Sequence, residues 1–323
     1  MYLLAIETTG AFASVALLED DCVLEHIQGH DRFSHLQNLM PQVKEVLENH
    51  KLSINDVSAI AVSKGPGSFT GIRIGVSSTR ALCQVLGVPG VPVSSLEALA
   101  MRAADLPGEK RRSTGDISSA KKALDASETS DDRTWICPIL DARRSQVYGG
   151  GYVLQNGYPI EAFKGGAYTV EDFLEKTDEC DRILLLGDGT DAYGEKIAEA
   201  RREKGKFTEF APESIRYQDA VTVGRLGAKL LQEGKGLSYQ ELLPDYMRQA
   251  EAERKLAEKQ AAEAAKQAAS KIGRPIWQTY SSDRRISTTW MRSLKSSICV
   301  SRILGARILC GMSWGKIRGH FIL

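Results

Sequence analysis

Apolar and polar positions alternate from the first residues. Tyr2-Leu-Leu-Ala-Ile-Glu-Thr-Thr-Gly10 and Ala13-Ser-Val-Ala-Leu-Leu18 are short apolar runs joined by a small polar turn, Asp20-Asp21 closes the second, and Cys22 to Ile27 offers a third. Runs of this length bounded by turn residues predict a β-meander. The period then changes. His35 to Asn49 gathers Leu36, Leu39, Met40, Val43, Val46 and Leu47 on one broad arc, and Ile72 to Leu86 does the same with Ile74, Val76, Ala81, Leu82 and Val85. Both predict amphipathic helices, and each arc has its own sheet as one candidate cover.

Between those helices lies Ala59 to Gly75, AIAVSKGPGSFTGIRIG, an apolar strand that empties into a loop with Gly65, Pro66, Gly67 and Gly71 before the second helix. Glycine removes the Cβ that would hold a ligand or a second chain away, and Ser68 and Thr70 are placed to cap the helix, whose free N–H groups favour negative charge. The loop therefore suits either an anion such as phosphate or a close backbone contact. It is not a Walker loop: no Lys-Ser/Thr pair follows Gly71, and Lys64 precedes the loop.

A second lobe is expected from near Trp135. Ile136 to Leu140, Gln146 to Leu154 and Arg182 to Gly187 read as strands, the last entering Gly187-Asp-Gly-Thr190 and a helix from Ala192 to Lys204. Gly187 and Gly189 are ligand candidates or the glycines of an ordinary strand-to-helix turn. Asp141 with Arg143-Arg144, between two strands, suits a lobe-bridging ion pair or contact with a polyanion, the structural role being the simpler reading.

Composition agrees with a folded chain long enough for a sizeable core: 42% of the 323 residues are hydrophobic and 26% charged. Met1 leads straight into strand-like residues rather than a basic and apolar leader, and no apolar run reaches membrane-spanning length, so a cytoplasmic location and no membrane partner are expected. Cys22, Cys83, Cys137, Cys180, Cys299 and Cys310 form no CxxC pair and read as reduced, packed thiols. The net charge of +1 conceals a division. Residues 271–323 hold ten basic residues against the single acid Asp283, a balance of +9, which leaves −8 for residues 1–270. An acidic body argues against a chain that binds RNA alone.

Segments outside the lobes read as solvated. Leu106 to Arg133 is rich in Ser, Asp, Lys and Gly and is expected to be an inserted loop, with a short helix at Ser119–Ala126. Glu251 to Lys271 has helical propensity and little apolar face. The basic tail lacks periodicity and reads as a non-native or disordered C-terminus, with an RNA-binding arm as the other reading.

No nucleophile, base and orienting acid stand in a recognisable pattern. His26, His30 and His35 invite a zinc reading, yet Gly29 and the strand-to-helix change between them separate their faces, and His50 ends the next helix, so solvated or capping histidines are expected and no metal site.

Six motifs occur in one order over the first 255 residues: Ile6-Glu-Thr-Thr-Gly10, Arg32-Phe-Ser-His35, Ala59–Gly75, Val93-Ser-Ser-Leu-Glu-Ala-Leu-Ala100, Leu140-Asp-Ala-Arg-Arg-Ser-Gln-Val-Tyr148, and Tyr246-Met-Arg248 with Glu251-Ala-Glu-Arg254. Together they resemble the TsaB (YeaZ) family. That resemblance implies a duplicated α/β fold of the actin-like, Hsp70 and sugar-kinase (ASKHA) class with a reduced second lobe: residues 1–105 as the first lobe, 106–133 an insertion, 134–248 the second lobe, 249–270 a charged helix and 271–323 the tail. It implies a non-catalytic subunit that holds TsaD competent to transfer a threonylcarbamoyl group to N6 of adenosine 37 in tRNA, with TsaE joining the complex and tRNA reached through it. TsaD carries a histidine pair in a HLEAH-like segment where this chain reads Ser95-Leu-Glu-Ala-Leu99. The resemblance further implies a TsaD interface on the two helices, including Leu39, Val43, Ile74 and Leu82, with self-pairing through the same patch when TsaD is missing. No cofactor is required, weak ATP or ADP binding being optional. The alternative is an independent ATPase or kinase, in which Glu7, Thr8, Gly65, Gly67, Gly187 and Gly189 would line ATP.

Overall fold

The computed structural model describes residues 1–29, 35–106, 134–247, 259, 260 and 263. The expected insertion from residue 107, the charged helix apart from those three positions, the basic tail and His30 lie outside the described residues.

The first half of the chain gives β1 (Tyr2–Glu7), β2 (Ser14–Glu19), β3 (Cys22–Gln28), α1 (His35–Asn49), β4 (Val57–Gly65), α2 (Phe69–Leu86), β5 (Gly90–Ser94) and α3 (Ser95–Met101). The strands form one sheet in the order β3-β2-β1-β4-β5. The meander β1-β2-β3 is antiparallel, whereas β4 joins β1 and β5 joins β4 in parallel. Alternation along β1 explains its burial on both faces. Leu4 and Ile6 meet α1 and α2, while Leu3 and Ala5 face the other way.

After residue 133 come β6 (Thr134–Asp141), β7 (Gln146–Gln155), β8 (Tyr158–Thr169), α4 (Val170–Thr177), β9 (Arg182–Leu186), α5 (Gly189–Glu203), β10 (Phe207–Phe210), the short α6 (Glu213–Arg216) and α7 (Ala220–Gln232). The second sheet is ordered β10-β9-β6-β7-β8. Its pairings repeat the first sheet strand for strand, with β6 in the place of β1 and β9 in that of β4. The fold is therefore a duplication. Reduction falls on the helices, since α4 has eight residues where α1 has fifteen. A buried arginine closes that short helix: Arg201 of α5 donates to the carbonyl of Thr177, the last residue of α4, at 2.7 Å and to that of Cys180 in the turn beyond it at 2.8 Å.

Two elements tie the sheets together. α3 is buried on nearly all sides, with Ala98 and Met101 packed against the first sheet and Leu96, Leu99 and Ala100 among Ile136, Leu140 and Tyr152 of the second. α7 follows β10 in sequence yet covers the first sheet, where Ala220, Val223 and Leu226 close over Leu3, Ala5, Ala16 and Ala59. The core of the first sheet thus includes residues from beyond residue 218. Small side chains on both partners permit this approach. A Cβ on Gly227 would stand 2.4 Å from the Ala61 Cβ, and one on Gly224 would meet Leu18 at the same distance.

Gly227→Val should thus lower the unfolding free energy by about 1–3 kcal/mol through overpacking. Urea denaturation of the variant checks it, and an unchanged midpoint would contradict this account of the α7 contact.

Candidate functional site

The β1–β2 turn is the polar centre of the first lobe. Glu7 ends β1 fully buried, and its Oε1 stands 2.6 Å from Thr9 Oγ1 and also accepts the Thr9 N–H. Ser63 Oγ of β4 donates to Oε2, and Thr9 Oγ1 lies 3.0 Å from Ser95 Oγ at the start of α3. One carboxyl thereby joins the turn to the neighbouring strand, and Thr9 carries the contact on to the helix between the sheets. Burial pushes the Glu7 carboxyl above its ordinary value of 4.5, against hydrogen bonds from Ser63, Thr9 and Gly10 that pull it down.

The glycine loop is filled by that same turn. Ser68 N–H donates to Thr9 O at 2.8 Å, and Thr8 Oγ1 donates to Gly71 O at 2.7 Å. A Cβ on Gly67 would lie 2.6 Å from Thr9 O, on Gly71 1.9 Å from Thr8 O, and on Gly75 2.3 Å from Thr8 Oγ1. Of the two roles open to the loop, a close backbone contact is the one these distances describe. Ser68 caps α2 by accepting from Gly71 N–H, whereas Thr70 lies exposed inside the first turn.

Gly65 has another neighbour, Asp245, whose carbonyl would be 2.5 Å from a Cβ there and whose N–H donates to Lys64 O. The segment that holds Asp245 also stacks Tyr246 on Phe69 of α2, ring centres 4.3 Å apart, with the Arg73 guanidinium 4.4 Å from the Phe69 centre. Short-range periodicity gives no sign of this strap. In the sequence Tyr246 stands out only within the Tyr246-Met-Arg248 motif.

Gly187 and Gly189 lie against β6: a Cβ on either would meet Ile139 O, at 2.1 and 2.9 Å, and Gly187 N–H donates to Arg216 O. Asp141 is engaged locally, accepting from Arg143 N–H at 2.7 Å and from Tyr193 Oη at 3.3 Å, while Arg143, Arg144 and Ser145 hold three successive positive φ values.

On α1 and α2 the apolar arcs divide by burial. Leu39 and Val43 are 1% and 5% exposed and sit in the core, so they are corrected from interface to packing residues, while Ile74 and Leu82 are half-buried against that core. The outward apolar side chains are Leu36, Met40 and Val85, at 76%, 41% and 84% exposure.

His35 is likewise buried at the start of α1 rather than solvated, and burial lowers its pKa and that of His26. Among the described residues no three His, Cys, Asp or Glu side chains converge to hold a metal ion. Cys83, Cys137 and Cys180 are buried and Cys22 is exposed, with the Cys83 thiol pushed up to about 11. No helix among the described residues is long and apolar enough to cross a membrane.

Comparison with known proteins places these features beside others. A family profile described as "TsaD: tRNA N6-adenosine threonylcarbamoyltransferase" matches residues 32–112. The chain is 32% identical over 261 residues to the tRNA threonylcarbamoyladenosine biosynthesis protein TsaB of Bacillus subtilis, spanning 80% of this chain and all of that protein. It is 31% identical over 107 residues to the tRNA N6-adenosine threonylcarbamoyltransferase of Staphylococcus haemolyticus, covering 28% and 31% of the two chains. The solved structure of YeaZ from Pseudomonas aeruginosa superposes with a TM-score of 0.59 at 26% identity, over 76% of this chain and 99% of that one.

The Glu7 network has a titration signature. Because the folded state raises this carboxyl, its contribution to stability is fully present below pH 4.5 and is lost as pH rises through the higher folded value. Glu7→Gln removes that contribution, so wild type should gain stability relative to the variant as pH falls from 8 to about 4. Urea unfolding across that range checks it, and a difference independent of pH would refute it.

Proposed function

Since the chain belongs to the TsaB family, we propose that it acts in tRNA threonylcarbamoyladenosine biosynthesis as a non-catalytic subunit that binds TsaD and holds it competent for transfer to tRNA adenosine 37. The outward face of α1 and α2 carries this reading. Leu36 and Met40 of α1 and Val85 of α2 present apolar side chains to solvent, while Ile74 and Leu82 of α2 are half-buried, and exposed apolar surface on folded chains is characteristic of protein interfaces. The body's charge of −8 agrees with a partner that supplies most phosphate contacts to tRNA. In this reading TsaE joins the TsaD-bound complex.

Two observations favour the scaffold over an independent ATPase or kinase. The Ser68 amide, Gly67 and Gly71 lie against Thr8 and Thr9, Gly65 against Asp245, and Gly187 and Gly189 against the Ile139 carbonyl, which supports a packing role for these glycines over a nucleotide-binding one. Where the TsaD-like segment would have its histidine pair, Ser95 and Leu99 are both buried, Leu99 in the core between the sheets.

Met40→Glu should leave the fold intact and weaken TsaD binding by about 2–4 kcal/mol, because association would bury an unpaired charge. Isothermal titration against TsaD, with thermal unfolding as the control, checks this. Undiminished binding and tRNA modification with the variant, or ATP turnover by the wild-type chain alone, would favour the enzyme.

A further inference from the structure

Arg73 of α2 is held as an ordinary surface arginine is not. Its Nε donates to Tyr246 Oη at 3.1 Å, and its guanidinium carbon lies 4.4 Å from the Phe69 ring centre and 5.7 Å from that of Tyr246. The two rings stack within 17° of parallel, so one aromatic pair fixes the side chain. The clamp is itself anchored. Asp245, next to Tyr246, donates its N–H to Lys64 O and turns its carboxylate to Lys64 Nζ at 3.6 Å, and Leu242 of the same segment is fully buried in the first core.

The clamp leaves the charged end open. Among the described residues the Arg73 nitrogens beyond Nε make no hydrogen bond, and no carboxylate stands within ion-pair reach of them. α2 contains no acid and one other cation, Arg80, which is committed to Tyr239 O at 2.9 Å. Arg73 is thus an exposed planar fork whose rotamer freedom is already given up in the free protein. A guanidinium ordered in advance takes a carboxylate or a phosphate through two parallel hydrogen bonds with little further loss of freedom.

The surroundings choose between those anions. Phosphates recur along a nucleic-acid strand and are met by grouped cations, whereas the other exposed lysine or arginine of α1 and α2 is Lys44, which faces Glu48 of its own helix at 3.5 Å. A lone fork fits one carboxylate. Arg73, Ser77, Ala81 and Val85, each four residues on, form one exposed ridge of α2, so the fork and the outward Val85 lie along the same row.

We propose that Arg73 pairs with an Asp or Glu carboxylate of TsaD and so fixes the register of that partner along α2, with Tyr246 as the positioning residue that holds the fork ready. The inference rests on TsaD binding through α1 and α2, to which the outward apolar residues contribute contact and Arg73 contributes orientation.

Calorimetric titration of TsaD with the full-length chain tests it, with thermal unfolding of each variant as the control. Arg73→Met, which keeps the stem over the rings, should bind at least about ten-fold more weakly than wild type and should lose much of the weakening that wild type shows as NaCl rises from about 50 to about 500 mM. Arg73→Lys keeps a cation over the ring but has no fork, and should also fall short of wild type. Tyr246→Phe keeps the stack and deletes the hydroxyl; it should weaken binding about three-fold in wild type and have no effect in the Arg73→Met background. A wild-type chain that does not bind TsaD removes the interface and this inference together. With wild-type binding intact, three results overturn the inference alone: Arg73→Met binding as tightly as wild type, a Tyr246→Phe loss that persists without the arginine, or a loss confined to the tRNA affinity of the assembled complex, which marks a phosphate contact.

Discussion

The contact on which the rest depends is backbone against backbone: the Thr8–Thr9 turn lies so close to the start of α2 that no side-chain carbon fits between them. That proximity fixes where α2 begins and so which of its faces looks outward. Behind the turn, Glu7 draws Ser63 and Thr9 to one carboxyl, and Thr9 reaches Ser95 on the helix shared by both sheets. A buried polar cluster is stable only when its members satisfy one another, and a change to any one of them is transmitted to the others.

Duplication makes the two lobes instructive neighbours. Each has a strand, a glycine and a helix at its centre, and in each the glycine admits a carbonyl of the same chain: Thr8 and Thr9 in the first, Ile139 in the second. The first lobe has long helices over its sheet and an apolar outward face. The second has shorter cover and an open edge at β10, so the two lobes offer different kinds of surface: a helical face on one and a strand edge on the other.

Much of this was legible in the sequence, and the failures have definite causes. Apolar runs bounded by turn residues mark β1, β2, β3, β6, β7 and β9 in the sequence. The loop glycines were located but not explained, because a bound phosphate and an adjoining carbonyl both exclude a Cβ. Leu39 and Val43 were placed on the interface because a broad apolar arc does not mark its own midline, and the residues at its centre are the buried ones while Leu36 and Met40 at its margin reach solvent. The return of α7 to the first sheet was invisible to local pattern, which says that a helix has an apolar face but not which sheet receives it. Gly224 and Gly227, with Ala5, Ala16, Ala59 and Ala61 opposite, were the available signal: small residues on both sides of a contact mark a close approach.

That return has a consequence for the order in which the chain becomes a protein. The alanine-lined face of the first sheet is complete once residue 94 has been made, yet its cover, Ala220–Gln232, is synthesised more than a hundred residues later. Throughout that interval the nascent chain carries an open apolar sheet surface at the ribosome. Premature release anywhere before α7 strands it there, a substrate for chaperones and proteases rather than half of a working molecule.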